Sequence, residues 1–318
     1  MEKVELGKTG IFVTPVGMGV LTIGRTQLDL PLATGAAIVR HALKQGINFL
    51  DTAELYETYP YIRAALDGTD MKPVIASKSQ AKTYDKMKKS IEDMRLALDL
   101  DVIDIFLMHE VREAPDFESR EGAWACLNEY KAKKIIKAIG LSTHYTDVAE
   151  MNAALPESDL LFALINKESL GIRTGKGFGT KEAMVAAIQR NADRGKGVFA
   201  MKAFGGGNLI GSYLECLDYV NGIPGINSIM VGISSNEDID RLVEYAEGRL
   251  PRGYMPDLKE KKIRIDQWDC EGCGACREIC PNKAIFRQSN GIMNVNHAQC
   301  LTCGYCAPVC PVRAIILY

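Results

Sequence analysis

Along the first 250 residues, short runs of β-branched and aliphatic residues alternate with segments whose apolar positions recur at helical spacing. The runs Val16–Leu21, Gly46–Leu50, Val74–Ala76, Ile103–Met108, Ile136–Leu141, Leu160–Ile165, Gly197–Met201 and Ile226–Val231 are expected to be strands. Between them, Gly35–Gln45, Tyr84–Leu98, Glu121–Lys133, Lys181–Arg194 and Asn236–Glu247 read as helices with one apolar face. Eight strands alternating with helices argue for an α/β fold, a (β/α)8 TIM barrel over residues 1–250. The alternative, a doubly wound open sheet, calls for Gly-x-Gly-x-x-Gly after its first strand, and the chain has none there. Residues 251–266, with Pro251, Pro256 and several lysines, read as a linker. Residues 267–318 read as a second, small α+β domain.

Composition changes this picture little but narrows the function. A chain of 318 residues with 47% hydrophobic residues can build one large barrel core and a small module. A net charge of −2 makes no electrostatic case for nucleic acid or an anionic membrane as partner. No apolar run approaches the roughly 20 residues of a membrane span. Met1-Glu2-Lys3-Val4-Glu5 carries charge where a signal peptide has its apolar stretch. The expectation is a cytoplasmic protein.

The cysteines change the picture most. Eight of ten lie between Cys270 and Cys310, while Cys126 and Cys216 sit alone in helix-like segments and read as buried small apolar residues. Cys270-x2-Cys273-x2-Cys276-x3-Cys280-Pro281 is followed 30 residues later by Cys300-x2-Cys303-x2-Cys306-x3-Cys310-Pro311. Disulfides would need an oxidising compartment, and nothing in the chain suggests export. Zinc sites use Cys-x2-Cys pairs, but not two tandem four-cysteine runs each closed by Cys-Pro. The repeat resembles the bacterial two-cluster ferredoxin. That resemblance implies two [4Fe–4S] clusters, one on Cys270, Cys273, Cys276 and Cys310, the other on Cys300, Cys303, Cys306 and Cys280. Gly272, Gly274 and Gly304 suit loops whose backbone N–H groups turn toward cluster sulfurs. Metal binding also stabilises so small a module, so a structural role stays open beside electron transfer. Two clusters favour transfer, since one would suffice as a staple.

In a barrel the chemistry sits at the C-terminal ends of strands. Asp51, Lys78 and His109 each close an apolar strand, and Tyr56 follows Asp51 by five residues. Three ionisable groups converging on one rim suit carbonyl reduction, in which hydride reaches carbon and a proton must reach oxygen. Tyrosine has a pKa near ~10, poorly matched to neutral pH. Lys78 is expected to lower it, Asp51 to hold Lys78 charged, and His109 to hydrogen-bond the carbonyl oxygen.

The run Asp51-Thr52-Ala53-Glu54-Leu55-Tyr56, the Lys78 strand, and Ser90-Ile91-Glu92-Asp93-Met94-Arg95 leading to His109 resemble the aldo-keto reductases. Their Asp/Tyr/Lys/His tetrad is complete and in order. With its cysteine-rich end, the chain resembles the subgroup that carries a C-terminal 4Fe-4S ferredoxin domain. The resemblance implies NAD(P)H as hydride donor and a small carbonyl or alcohol substrate. At the cofactor positions it implies Ser142 and Asn166 near the nicotinamide, Lys202, Gly205 and Gly207 near the pyrophosphate, and Ser234 near the adenosine end.

The chain departs from that family in places. Phe162 stands where a glutamine is usual, and Met201 where a tyrosine stacks on nicotinamide. No basic residue lies within Gly232–Asp240 to meet a 2′-phosphate, and Glu237 and Asp238 would repel one. NADH is therefore favoured over NADPH, or a weak nicotinamide site. The glycine-rich loop from Gly171 to Gly179 could hold a substrate anion through Arg173 or Lys176, or be an ordinary connection. His144 reads as a rim residue, His41 and His297 as structural or surface positions. Nicotinamide moves two electrons and a cluster one. Two further functions therefore stand beside the leading one. The first is a cluster-driven reductase fed by an external one-electron donor, a redox partner protein. The second is a non-catalytic electron-transfer protein.

Overall fold

The computed structural model describes residues 1–25, 27–175, 177–256, 262–301, 305–312 and 314–317. Eight parallel strands close into a barrel: β1 (Val16–Gly19), β2 (Phe49–Asp51), β3 (Val74–Ser79), β4 (Ile103–Met108), β5 (Ile136–Thr143), β6 (Leu160–Leu164), β7 (Gly197–Met201) and β8 (Ser228–Gly232), with β8 pairing β1. The helices α1 (Leu32–Lys44), α2 (Tyr59–Leu66), α3 (Tyr84–Leu98), α4 (Glu121–Ala132), α5 (Thr146–Ala154), α6 (Lys181–Asp193), α7 (Tyr213–Asn221) and α8 (Asn236–Ala246) follow the strands in turn.

Side chains alternate across each strand, so every second residue points into the barrel. Phe49, Ala76, Ile105, Leu107, Ala138, Phe162 and Phe199 fill the interior. Their strand neighbours Leu50, Ile75, Phe106, Ile139, Leu161 and Val198 pack outward against the helices. Both faces are buried, which is why these strands read as nearly continuous apolar runs. An N-terminal hairpin, Val4–Glu5 against Phe12–Val13, adds Leu6, Ile11 and Val13 to the same interior cluster. Local chemistry starts several helices: Thr83, Thr180 and Ser235 each accept a backbone N–H of the first turn.

Strand ends depart in both directions from those that polarity suggested. Ser77, Lys78 and Ser79 continue β3 because Ser77 pairs with Tyr59 and Ser79 with Glu54, so polar groups stay satisfied inside. The first strand instead stops at Gly19 and turns into a 3-10 helix, Val20–Ile23.

The C-terminal module has two antiparallel pairs: β9 (Ile263–Ile265) with β12 (Ile315–Leu317), and β10 (Ile285–Arg287) with β11 (Met293–Val295). Short helices α9 (Ala275–Ile279) and α10 (Cys306–Val309) lie between. Strand β9 falls where the sequence suggested linker; its alternation buries Ile263 and Ile265 in the module's own core. Residues 257–261 of that linker lie outside the described residues. The module rests on the C-terminal rim of the barrel. The Leu317 amide donates to the Gly206 carbonyl at 3.0 Å, Asn208 Nδ2 donates to the Ile315 carbonyl at 2.8 Å, and Arg173 reaches the Pro311 carbonyl at 3.4 Å.

Candidate active site and cluster module

The interior alternation carries straight on to the rim. Asp51 follows interior Phe49 by two residues, Lys78 follows Ala76, and His109 follows Leu107, so all three point inward at the mouth of the barrel. They are 6%, 1% and 8% exposed respectively. Lys78 Nζ donates to Asp51 Oδ1 at 2.6 Å and to the Thr52 carbonyl at 2.7 Å. Tyr56, delivered by a 3-10 turn after β2, places its Oη 3.4 Å from His109 Nε2. The two rings meet edge to face. The structure thus brings all four residues together.

Their electrostatics differ from the expected tuning in one respect. Burial pushes Asp51 up and Lys78 down, and the contact between them opposes both shifts. The net shift of Tyr56 is upward: the phenol is held well above its usual value, by burial first and then by Asp51, Glu110, Asp266 and Asp269. The physical reason is placement. The ammonium is committed to Asp51 and lies over the Tyr56 ring, 5.0 Å from its centroid. Tyr56 therefore rests as a phenol, a proton donor. His109 is held well below the ordinary imidazole range by burial, then by Lys78, His144 and Arg120, and so is neutral. Among the described residues, its buried Nδ1 has no hydrogen-bond partner. A buried lone pair is tolerated better than a buried orphan N–H, so the proton belongs on Nε2, facing Tyr56.

Sequence reasoning missed the group that sets the rim. Arg120, 2% exposed, donates to the carbonyls of Ser79, Ala81 and His109 at 3.0, 3.2 and 3.0 Å. It ties the end of β3, with Lys78, to the end of β4, with His109. An arginine one residue before a helix carries no sequence signal for this. Nor did the sequence single out Glu110, which shares an unusual backbone with the pyrophosphate candidate Lys202. Both have left-handed backbones, with φ of 51° and 58°, at strand ends.

Glu110, His144 and the module's Asp269 place ligand-type atoms within 4.8 Å of one another. Each carboxylate already faces a cation, Glu110 with Arg112 at 2.9 Å and Asp269 with Lys202 at 3.5 Å. The group is a charge-balanced seam between barrel and module. Burial opposes the Lys202 charge, but Asp269, Asp266 and Glu110 outweigh it and raise the pKa.

The other cofactor candidates are already hydrogen-bonded within the barrel. Ser142 Oγ accepts the Glu110 amide at 2.8 Å. Asn166 donates to the Leu170 carbonyl at 2.9 Å, and its Oδ1 accepts the Leu170 and Glu168 amides. Ser234 binds the Asp238 carboxylate through both Oγ and its amide, at 2.6 and 2.9 Å. Phe162 stacks on Phe199 at 4.2 Å inside the barrel. In the glycine-rich loop, Arg173 belongs to a small hairpin and lies over Phe178, while Lys176 is outside the described residues. His41 pairs with Asp240 at 2.7 Å, between α1 and α8.

The cysteines fit iron–sulfur ligation. Burial pushes the Cys276 thiol up to about 11, and so do the nearby thiols of Cys310, Cys270 and Cys273. A small cavity is lined by Cys280, Cys300 and Cys306, with Ile285, Val295 and Leu301. Cys303 and Gly304 lie outside the described residues. Backbone amides of Gly272, Ala284 and Ala314 point at Cys270, Cys280 and Cys310 sulfurs at 3.2–3.4 Å. Gly272 and Gly274 both have positive φ, as that turning backbone requires. Cys126 and Cys216 are fully buried among apolar residues.

Comparison with known proteins agrees with both halves. Residues 15–224 match the model of the Aldo/keto reductase family, and residues 263–317 that of the 4Fe-4S dicluster domain. A curated relative, 6-dehydroglucose reductase of Novosphingobium aromaticivorans, is 28% identical over 177 residues, covering 48% of this chain and 55% of that protein. The chain thus spans about half the length of that relative. A solved structure from Pseudomonas aeruginosa, described as an aldo-keto reductase, superposes with a TM-score of 0.65 at 24% identity, over 78% of this chain and 95% of that one. The holo form of an aldo-keto reductase from Bacillus halodurans gives 0.63 at 19%, over 78% and 91%. At such identities these structures speak for the fold.

Proposed function

Because the chain belongs to the aldo/keto reductase family and carries a C-terminal 4Fe-4S dicluster domain, we propose that this oxidoreductase interconverts a small carbonyl compound and its alcohol at Tyr56. The observation that carries the reading is one constellation: the buried Lys78–Asp51 pair at 2.6 Å beside Tyr56, with His109 Nε2 at 3.4 Å from the phenol oxygen. Reduction of a carbonyl consumes two electrons, which an external one-electron donor would deliver in two successive transfers, and two protons, the one on carbon drawn from solvent and the one on oxygen from Tyr56, which solvent then reprotonates. Tyr56 Oη donates the proton to oxygen. The neutral His109 offers its Nε2–H to the same oxygen and fixes its approach. Lys78 stabilises the phenolate that the transfer leaves, and Asp51 with the Thr52 carbonyl holds Lys78 in place.

Cys270, Cys273, Cys276 and Cys310, and Cys280, Cys300, Cys303 and Cys306, would hold the two clusters. Bound there, the clusters supply electrons one at a time. The module's seat on the rim favours electron delivery over a purely structural role, and implies a one-electron redox partner protein.

The test uses anaerobically prepared holoprotein and a panel of carbonyl compounds, with a reduced viologen dye as electron donor. Alcohol formation should fall by about 10²–10⁴ in Tyr56→Phe while iron content is unchanged. Full activity in that variant would remove the assignment.

A further inference from the structure

We infer that the chain's own C-terminal strand, and not a dinucleotide, is the ligand of the 202–208 loop, so that this barrel rim has no NAD(P)H site. In the family this chain belongs to, that loop is where a pyrophosphate is expected, because glycines let backbone N–H groups approach an anion. Gly205, Gly206 and Gly207 are all left-handed here, with φ of 56°, 68° and 87°. The loop they make faces β12. The Gly206 carbonyl accepts the Leu317 amide, and Asn208 Nδ2 ties the Gly205 carbonyl to the Ile315 carbonyl at 2.7 and 2.8 Å. A Cβ on Gly207 would collide with the Leu317 carbonyl oxygen, so the glycine serves the approach of the strand.

The chemistry of this arrangement is wrong for phosphate. An anion needs N–H donors and uncompensated positive charge. The loop turns a carbonyl toward the module, and two carbonyl oxygens of β12 crowd against it. The cation that could have attracted the anion, Lys202, faces Asp269 of the module. At the adenosine end, Asp238 already occupies Ser234 at the start of α8 and would repel a 2′-phosphate. Near the nicotinamide, Asn166 spends both ends of its amide on its own loop. Met201 offers no ring to stack on. Strand β12 in turn gains cover for the edge that β9 leaves open. The expectation of NADH or NADPH drawn from family resemblance thus finds residues that do not fit the group. The inference holds whether or not Tyr56 is the proton donor, so the two readings fail separately.

The experiment uses the full-length holoprotein, prepared anaerobically with its iron content verified. It is titrated with NADH and with NADPH while nicotinamide fluorescence and hydrogen exchange at the Leu317 amide are followed. The expected result is no saturable change up to about 1 mM nucleotide, at the upper end of ordinary enzyme affinities, with Leu317 protected throughout. Saturable binding of either nucleotide overturns the inference. In Gly207→Ala the strand should be forced off the loop and Leu317 protection should fall about tenfold or more. The gentler Asn208→Ala, which removes one side-chain bond, should shift it less in the same direction. Unchanged protection in both variants also overturns the inference.

Discussion

Tyr56, Lys78, Asp51 and His109 lie together at the barrel mouth, and burial is the first cause of the pKa shift of each. The Lys78–Asp51 pair is almost wholly removed from water, so losing one partner should cost far more than losing both. Lys78→Met is expected to destabilise the barrel by about 3–5 kcal/mol in urea denaturation, and Asp51→Asn added to it should recover much of the loss. Additive losses would show that the pair does not act as a unit. His109 makes a pH prediction. Its folded pKa is depressed, while in the unfolded chain it takes up a proton as pH falls through about 6.5. Its stabilising share is therefore complete above that pH. The share is lost below it, at up to about 1.4 kcal/mol per pH unit, until the folded pKa is reached. His109→Asn should lessen the slope of stability against pH between about 7.5 and 5.5, the remainder coming from His144, whose pKa burial also holds well down. An unchanged slope would mean that His109 titrates freely.

At the scale of elements, the strand ends matter more than the strands. The periodic pattern was enough to place Asp51, Lys78 and His109 at strand ends, because interior barrel positions are apolar and a polar residue closing such a run stands out. The same pattern gave no hint of Arg120, whose three carbonyl partners come from the ends of two strands and the loop between. Arg120→Ala leaves those acceptors unsatisfied in a buried setting. It should cost about 3 kcal/mol in denaturation, and Arg120→Lys should restore little because the planar fork is lost. A loss below about 1 kcal/mol would demote Arg120 to an ordinary helix residue. Helices α2, α5 and α7 were not singled out in the sequence. They are short, and part of their apolar face lies against partners that only the closed barrel provides.

At the scale of the whole molecule, two units share one seam. The module is small, and its apolar core is built around its own cysteines. Metal should therefore contribute folding energy outright. Anaerobic removal of iron by a chelator should unfold the module and expose the Leu317 amide to exchange, while the far-ultraviolet signal of the barrel persists. A module that stays protected without iron would show that packing alone holds it. Among the described residues, no helix is long and apolar enough to cross a membrane. The seam also alters the site. Asp266 and Asp269 lie close enough to help hold Tyr56 in its protonated form.

The sequence by itself determined the barrel, the repeat of cysteines, and the position of Asp51, Lys78 and His109 at or just past the ends of apolar strands, because each rests on a periodicity or spacing that is local to the chain. Side-chain alternation decides which strand residues face inward, and two four-cysteine runs imply ligation wherever they fold. Only the tertiary structure decided where the module sits. Contacts such as Leu317 with Gly206, or Asp269 with Lys202, join residues far apart in the chain and follow no pattern within either segment. That placement turns a loop whose glycines looked made for pyrophosphate into a seat for the chain's own last strand. Tertiary structure likewise leaves the Tyr56 pKa raised rather than lowered, through burial first, then Asp51 and Glu110 of the barrel, and last Asp266 and Asp269 of the module.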